Sequence, residues 1–285
     1  MSALTDFDHD ETGKIDLSAI YDRPDPRDYY QTLVNLDYRI PAAAEPIFRQ
    51  VIEVERAVRR RRALKLLDVG CSYGVNAAIL KHERALPALF RAYGAAATGA
   101  LSRRELVARD RATCRQNAEL TVIGLDPAAR AVGYARDAGI LDDYLTRDLE
   151  TEAPSPEERA LLADVDLVIS TGAIGYVGAP TFNAILESAG NRPWLALFAL
   201  RMFSFDAITA ALKERGYAVF KLAGRTFHQR RFADSKERAE VLANLAALGI
   251  DPAGFESEGW YHAEFFFAHP ADEDIPPPMP GLVRQ

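Results

Sequence analysis

Residues 64–74 read Leu64-Lys65-Leu66-Leu67-Asp68-Val69-Gly70-Cys71-Ser72-Tyr73-Gly74, a short apolar run that closes on an acid and a glycine-punctuated turn. The run up to Val69 has the length and composition of a buried strand. Gly70 and Gly74 allow the backbone to pass close to a ligand, and the helix that follows them offers unpaired N–H groups at its start. The stretch therefore predicts a strand, a ligand-binding turn and a helix.

Short apolar runs alternate with amphipathic helical patterns along the rest of the chain after residue 63. This alternation is typical of an α/β protein, and we predict a Rossmann-like, mostly parallel sheet of seven strands with helices on both faces. The predicted strands are 64–69, 121–125, 144–147, 166–170, 194–200, 218–222 and 263–268.

The chain divides into four parts by composition. Residues 1–20 lack an apolar period and are expected to be mobile, and residues 21–62 predict an N-terminal helical cover. Residues 63–270 form the α/β domain, with two insertions at about 93–119 and 224–261. Residues 271–285 contain three successive prolines and are expected to be a disordered tail.

Charge and cysteine content exclude several classes of protein. The 34 Lys and Arg residues against 41 Asp and Glu give a net charge of −7, which disfavours nucleic acid and anionic lipid as partners. The two cysteines do not form a CxxC pair, so a disulfide framework or zinc knuckle is not expected. The polar N-terminus does not have the pattern of a secretory signal, and no apolar run reaches the roughly 18 residues of a membrane span. We expect a cytoplasmic protein that binds no metal.

Polar side chains follow four successive strands at the edge where ligands bind in open α/β sheets. Asp68 closes the first strand, Asp126-Pro127 follows the second, Asp148-Leu149 follows the third and Ser170-Thr171 follows the fourth. A carboxylate after the second strand can accept two hydrogen bonds from a ribose diol, and the next one can accept from an adenine amine. The ordered set predicts one crevice for a nucleotide-like cofactor.

Two other interpretations of the glycine turn remain open. A dinucleotide fingerprint needs GxGxxG, and the sequence Gly-Cys-Ser-Tyr-Gly lacks its second glycine, so NAD binding is a minor alternative. The turn also matches the GxSxG motif of α/β-hydrolases, with Ser72 as nucleophile and Asp206 and His228 in the usual chain order. A hydrolase motif normally follows several strands and an HGGG-type loop, whereas this one follows the first strand.

These motifs resemble the class I S-adenosylmethionine-dependent methyltransferases over about residues 63–200, and less specifically over the last two strands. The resemblance implies a sheet whose last strand is antiparallel, S-adenosylmethionine as cofactor and S-adenosylhomocysteine as product. The insertion at 93–119 places Asp126 later than is usual in the family, which suggests a lid or an oligomer contact. The implied cofactor-binding residues are Asp68, Gly70, Cys71, Ser72 and Gly74 at the methionine part, Asp126 and Pro127 at the ribose, Asp148 and Leu149 at the adenine, and Ser170 and Thr171 at the methionine amino group.

The resemblance also implies direct in-line transfer of the methyl group to a small-molecule acceptor. An acceptor hydroxyl or ammonium benefits from a general base, and the candidates are Tyr176, His228 and His262. The alternatives are the hydrolase and a regulatory protein that binds the cofactor without turnover, and a homodimer is possible. The candidate acceptor-binding residues are Tyr29, Tyr30, Tyr38, Arg39, Tyr176 and Arg201.

Overall fold

In the part of the chain that the structure describes, nine strands form one mixed sheet. The structure is a computed structural model and describes Asp10, Lys14, Ile15 and residues 17–285. The strands are β1 (Leu64–Val69), β2 (Leu120–Leu125), β3 (Asp143–Leu145), β4 (Leu167–Ser170), β5 (Trp194–Leu200), β6 (Tyr217–Leu222), β7 (Phe227–Arg231), β8 (Trp260–Pro270) and β9 (Leu282–Arg284).

The strand order is β3-β2-β1-β4-β5-β8-β6-β9, and β7 pairs with β8. β1 to β5 are parallel, whereas β8 runs antiparallel to β5 and β6. The predicted Rossmann-like α/β fold is thus confirmed, including the antiparallel strand near the end of the chain. The expected count of seven strands is too low by the two short strands β7 and β9.

Helices cover both faces of the sheet. Alternate residues of β1 belong to two separate apolar clusters, Leu66 to one and Leu67 to the other, as expected for a strand buried on both faces. The helices are α1 (Ser18–Tyr21), α2 (Arg27–Asn35), α3 (Ile40–Arg59), α4 (Val75–Leu80), α5 (Leu86–Gly94), α6 (Ala96–Gly99), α7 (Arg103–Thr113), α8 (Ala129–Asp137), α9 (Pro156–Leu162), α10 (Ala179–Ser188), α11 (Asp206–Glu214) and α12 (Ser235–Ala247), with a 3-10 turn at Glu256–Glu258.

The N-terminal helices α2 and α3 pack on the α/β domain through aromatic side chains. The Phe48 ring of α3 meets the Phe198 ring of β5 edge-on, with 5.5 Å between ring centroids. The Tyr30 ring of α2 stacks on Tyr93 of α5 at 4.4 Å. These contacts hold α3 on the sheet and α2 on α5. Among the described residues, none of the helices has the length and apolar character needed to cross a bilayer.

Both chain ends differ from expectation where they are described. Of the segment predicted to be mobile, residues 1–9, 11–13 and 16 lie outside the described residues, but Lys14 and Ile15 are buried. The Ile15 N–H donates to Glu237 Oε1 at 2.8 Å. The tail is not disordered: β9 pairs with β6, and Trp194 Nε1 donates to Glu273 Oε2 at 2.7 Å. Single long-range contacts such as these do not produce a periodic pattern in the sequence.

The insertion at 93–119 is tied to the domain by one buried carboxylate. Asp110 of α7 is fully buried, and its Oδ2 accepts hydrogen bonds from Tyr93 at 2.5 Å and from Tyr134 of α8 at 2.6 Å. Arg109 donates to the other oxygen at 2.9 Å. A buried charge held by so many donors makes the insertion a packed part of the fold. Its role as a lid or an oligomer contact remains a prediction.

Candidate functional site

The turn between β1 and α4 has a backbone that requires its glycines. Gly70 and Gly74 both have φ near +73°. A Cβ on Gly70 would lie 2.5 Å from the Ala173 Cβ, and one on Gly74 would lie 2.9 Å from Ile140 Cγ2. Ser72 has a left-handed backbone as well, with φ +48°, and its buried Oγ has no hydrogen-bond partner in the described part of the chain. The turn therefore presents a strained, polar backbone at the end of β1.

Asp68 is the buried acid at the floor of this turn. Its Oδ1 accepts a hydrogen bond from Asn76 Nδ2 at 2.9 Å, and the same amide donates to Thr171 Oγ1 at 3.2 Å. Asp68 Oδ2 is buried without a partner among the described residues. Burial raises the pKa of Asp68 to about 7, against the hydrogen bond from Asn76, which lowers it. A half-satisfied buried carboxylate is typical of a site that awaits a donor.

Asp126, at the end of β2, holds the turn from the other side. Its Oδ2 accepts from the Ser72 N–H at 2.8 Å, and its Oδ1 accepts from the Ala128 N–H at 2.9 Å. Burial raises its pKa despite these two hydrogen bonds. Each carboxylate oxygen has a second lone pair, so the acid can still accept from a ligand diol.

The other predicted cofactor residues surround this pair. Cys71 is buried, and a Cβ on Gly124 would lie only 2.5 Å from its Sγ, so the thiol packs against β2. Pro127 and Asp148 are exposed, whereas Leu149 is buried. Asp148 accepts from the Glu150 N–H at 3.0 Å and from Thr151 Oγ1 at 3.0 Å. Ser170 is fully buried and its Oγ donates to the Val69 carbonyl at 2.9 Å.

Tyrosines of the N-terminal cover close the crevice from above. Tyr73 donates to the Arg23 carbonyl and accepts from the Arg23 N–H, both at 2.9 Å, which ties the turn to the cover. The Tyr29 ring packs 5.3 Å from the Tyr73 ring. Tyr38 lies beside Tyr29 and Thr171, and burial raises its pKa. Of the predicted acceptor-binding residues, Tyr29 and Tyr38 thus lie beside the crevice.

Three predicted acceptor-binding residues lie in other contacts. Tyr30 stacks on Tyr93 within the helical cover. Arg39 is exposed and forms a bidentate pair with Asp37 at 2.6 and 2.8 Å. Arg201 donates to Glu256 Oε2 at 2.6 Å and to the Asp251 carbonyl at 2.8 Å, so its guanidinium is already occupied. The structure does not bring these three side chains to the turn.

The two candidate histidines lie together on the β7–β8 pair. The His228 ring is exposed and stacks on Trp260 at 4.5 Å. His262 is buried, its Nδ1 lies 2.8 Å from Thr226 Oγ1, and its Nε2 has no hydrogen-bond partner among the described residues. Burial lowers the pKa of both imidazoles, that of His262 to about 4. By strand register, His262 lies about 13 Å beyond Ser170 along the strand direction.

The hydrolase alternative finds no triad in this arrangement. The Ser72 hydroxyl has no partner, while Asp206 accepts from Ser204 Oγ at 2.9 Å at the start of α11. The His228 ring stacks on Trp260 and contacts the His262 ring edge-on. A nucleophile and its base must lie within hydrogen-bond reach, so these residues do not form a charge-relay site here.

Tyr176 forms the far wall of the crevice, after β4. Its ring is half exposed, and its hydroxyl donates to Asp10 Oδ2 at 2.5 Å. The Lys14 ammonium lies 4.8 Å from the centroid of the same ring. Asp10 and Lys14 therefore contact Tyr176, and Ile15 contacts Glu237 of the second insertion.

Three residues at this site were not anticipated from the sequence: Asn76, Lys14 and Gln229. Asn76 bridges Asp68 and Thr171, and the sequence signal for it is an amide in the first turn of the helix that follows the glycines. Gln229 lies close to Gly172, where an added Cβ would be 2.9 Å from its Nε2. Lys14 and Gln229 belong to stretches without apolar period, so no sequence signal marks them.

Comparison with known proteins gives matches among solved structures only. No protein-family model and no curated protein sequence matches the chain. A TehB-like SAM-dependent methyltransferase from Corynebacterium glutamicum is 16% identical, covers 84% of this chain and 95% of its own, and gives a TM-score of 0.41. Magnesium protoporphyrin IX methyltransferase from Synechocystis is 14% identical over 85% of this chain and 84% of its own, also at 0.41. The [4+2]-cyclase SpnF is 14% identical over 78% and 80%, at 0.40. At these values the similarities do not identify the function of the chain.

Proposed function

We propose that this chain is a class I S-adenosylmethionine-dependent methyltransferase that acts on a small molecule. The observation that carries the proposal is the pair of buried, unpartnered oxygens at the glycine turn, Asp68 Oδ2 and Ser72 Oγ. Both lie next to Asp126, the acid that follows β2 and grips the Ser72 backbone. Buried polar atoms without partners are rare in folded proteins, so their presence at the ligand-binding edge of the sheet supports a bound polar group there.

The residues present fit this cofactor part by part. The Asp68 carboxylate is suited to an ammonium group, which supplies the missing donor and favours the ionised acid. Asp126 can accept from ribose hydroxyls through its remaining lone pairs, and exposed Asp148 can accept from the adenine amine. Leu149 offers an apolar surface to the adenine ring.

Bound S-adenosylmethionine supplies a methyl group that is already activated by its sulfonium. The chain then needs to align the acceptor, exclude water and remove a proton where the acceptor has one. The tyrosine cover over the turn, with Tyr38 on Thr171, is placed to exclude water. In the displacement the acceptor lone pair forms the new bond to the methyl carbon, and the electrons of the breaking carbon–sulfur bond remain on sulfur.

Among the candidate bases, Tyr176 lies in the loop after β4, the strand that pairs with β1. His262 is buried with an unpartnered Nε2 and is neutral at physiological pH, so it can take up a proton. His228 is exposed beside Trp260. We propose Tyr176 as the residue that positions the acceptor and keep the two histidines as candidates for the base. A cytoplasmic location and a homodimer also remain predictions.

The deciding experiment is calorimetric titration of the full chain with S-adenosylmethionine and S-adenosylhomocysteine, with NAD and NADP as controls. We expect micromolar binding of the first pair alone. No binding of either would contradict the proposal. Binding without methyl transfer to any acceptor in a broad screen with labelled cofactor would instead support the regulatory alternative.

A further inference from the structure

Lys14 carries a buried charge without a counter-ion. The side chain is 7% exposed, and its ammonium lies 4.8 Å from the ring centroid of Tyr176 and 5.9 Å from that of Tyr261. Among Asp10, Lys14, Ile15 and residues 17–285, no carboxylate lies within 4.0 Å of this ammonium. A buried ammonium that packs on aromatic faces without a direct ion pair is poorly compensated for its lost hydration.

The two acids that act electrostatically on Lys14, Asp10 and Glu237, do so without a direct ion pair, and both accept hydrogen bonds from other groups. Glu237 on α12 accepts from Arg230 at 2.7 and 2.9 Å, from the Ile15 N–H and from the Ala233 N–H. Asp10 accepts from Tyr176 at 2.5 Å and from the Lys14 N–H at 3.2 Å. The guanidinium of Arg230 on β7 is likewise committed to Glu237. The Lys14 ammonium, unlike the Arg230 guanidinium, can therefore bind an anion at this wall of the crevice.

Gln229, which precedes Arg230 on β7, carries a second unsatisfied group. Its side chain is 5% exposed, and its Oε1 is buried without a hydrogen-bond partner among the described residues. It faces Gly172, directly after β4, where a Cβ would lie 2.9 Å from its Nε2. A buried carbonyl oxygen without a partner can accept a hydrogen bond from an N–H or O–H donor of a ligand.

We propose that Lys14 and Gln229 form a subsite that recognises a carboxylate on the methyl acceptor. The Lys14 ammonium pairs with the carboxylate, and Gln229 Oε1 accepts from a hydroxyl or amine of the same molecule. A carboxylate suits the site better than a phosphate, because its single charge matches the one ammonium of Lys14, whereas a doubly charged phosphate needs several charged donors. The statement that this ligand is the methyl acceptor rests on the proposed methyltransferase function.

The test uses benzoate and its neutral analogue benzamide as probes of the full chain saturated with S-adenosylhomocysteine. We expect benzoate to bind wild-type protein at least tenfold more tightly than benzamide, and Lys14→Gln to abolish this preference. Lys14→Arg should restore at least part of it. Lys65→Gln is the matched control, because Lys65 pairs with Asp164 at the opposite end of β1. The pKa of Lys14 is lowered to about 8 by burial and by Arg230, against Asp10 and Glu237, so the preference should fade as the pH rises above that value.

Two results would overturn the inference: equal affinity for benzoate and benzamide in wild-type protein, or an unchanged preference in Lys14→Gln. Absence of detectable binding of either probe at tens of millimolar would overturn it as well. The melting temperature of Lys14→Gln and its affinity for S-adenosylhomocysteine show whether the variant is folded. If Lys14→Gln does not fold, the preference of Lys14→Arg for benzoate over benzamide tests the inference instead. Should S-adenosylhomocysteine fail to bind while benzoate binding depends on Lys14 in the unsaturated protein, the methyltransferase proposal falls and the carboxylate subsite stands.

Discussion

The Ser72 N–H lies 2.8 Å from Asp126 Oδ2, so the acid at the end of β2 holds the backbone of the turn at the end of β1. The two strands are in register through six residue pairs, which brings the acid beside the turn. A ligand bound at the turn therefore meets a backbone whose conformation depends on a carboxylate 54 residues further along the chain.

Replacing Asp126 should affect both the cofactor and the fold. We expect Asp126→Ala to weaken S-adenosylhomocysteine binding by about tenfold or more, and to lower the free energy of unfolding by about 1–3 kcal/mol because two backbone donors lose their acceptor. Calorimetry and urea unfolding measure the two effects. Asp206→Ala, which removes an exposed acid at α11, is the control. Unchanged affinity in Asp126→Ala would refute the assignment of this acid to the cofactor.

Asp68 should make both stability and binding depend on pH. Its pKa of about 7 lies above the ordinary value of 3.8, so the folded protein keeps a proton that the unfolded chain releases. The free energy of unfolding should consequently fall as the pH rises between about 4 and 7. Cofactor affinity should change in the opposite direction, since the ammonium group prefers the ionised acid. Asp68→Asn should flatten the stability curve and weaken binding; a stability curve with the same slope in both proteins would contradict this account.

Gly70 and Gly133 form a matched pair for testing the turn. Gly70→Ala places a Cβ 2.5 Å from that of Ala173 at a positive φ, and we expect it to lower the free energy of unfolding by about 1–3 kcal/mol. Gly133 lies inside α8 with nothing within 4 Å of an added Cβ, so Gly133→Ala should stabilise by up to about 1 kcal/mol. Urea unfolding of both variants measures the difference, and equal values would show that the turn carries no strain.

The two candidate classes of base predict different pH profiles for methyl transfer. His262, with a pKa of about 4, is already deprotonated above pH 5, so a reaction that uses it should be nearly independent of pH between 6 and 8. Tyr176→Phe should leave that profile unchanged and raise KM for the acceptor if the hydroxyl only positions it. A kcat that increases with pH in wild-type protein and loses this dependence in Tyr176→Phe would instead make Tyr176 the base.

The sequence predicts the central strands well because their residues are uniformly apolar. The predicted bounds 64–69 and 194–200 are those of β1 and β5, since both runs are buried along most of their length. The acids at the turn could be predicted together with these strands, because the end of a strand determines where the next residue lies. Whether these acids bind a cofactor is a matter for the experiments above.

What could not be predicted depends on single long-range contacts. β7 contains His228, Gln229, Arg230 and Arg231, a polar run that resembles a loop and becomes a strand because it pairs with β8. Lys14 lies in a segment without apolar pattern, and its burial results from Tyr176, in the loop after β4, and Tyr261 on β8, both more than 150 residues away. Tertiary context of this kind overrides local propensity.

The hydrogen bond between Ile15 and Glu237 joins residues 222 positions apart in the chain. At a synthesis rate of about 5–20 residues per second, Ile15 waits roughly 10–45 s for its partner to be translated. The first half of the sheet can assemble in that interval, but the segment around Ile15 can take its place only after α12 exists. A nascent chain therefore spends that time without this contact, and shortened chains that end before α12 should lack it permanently.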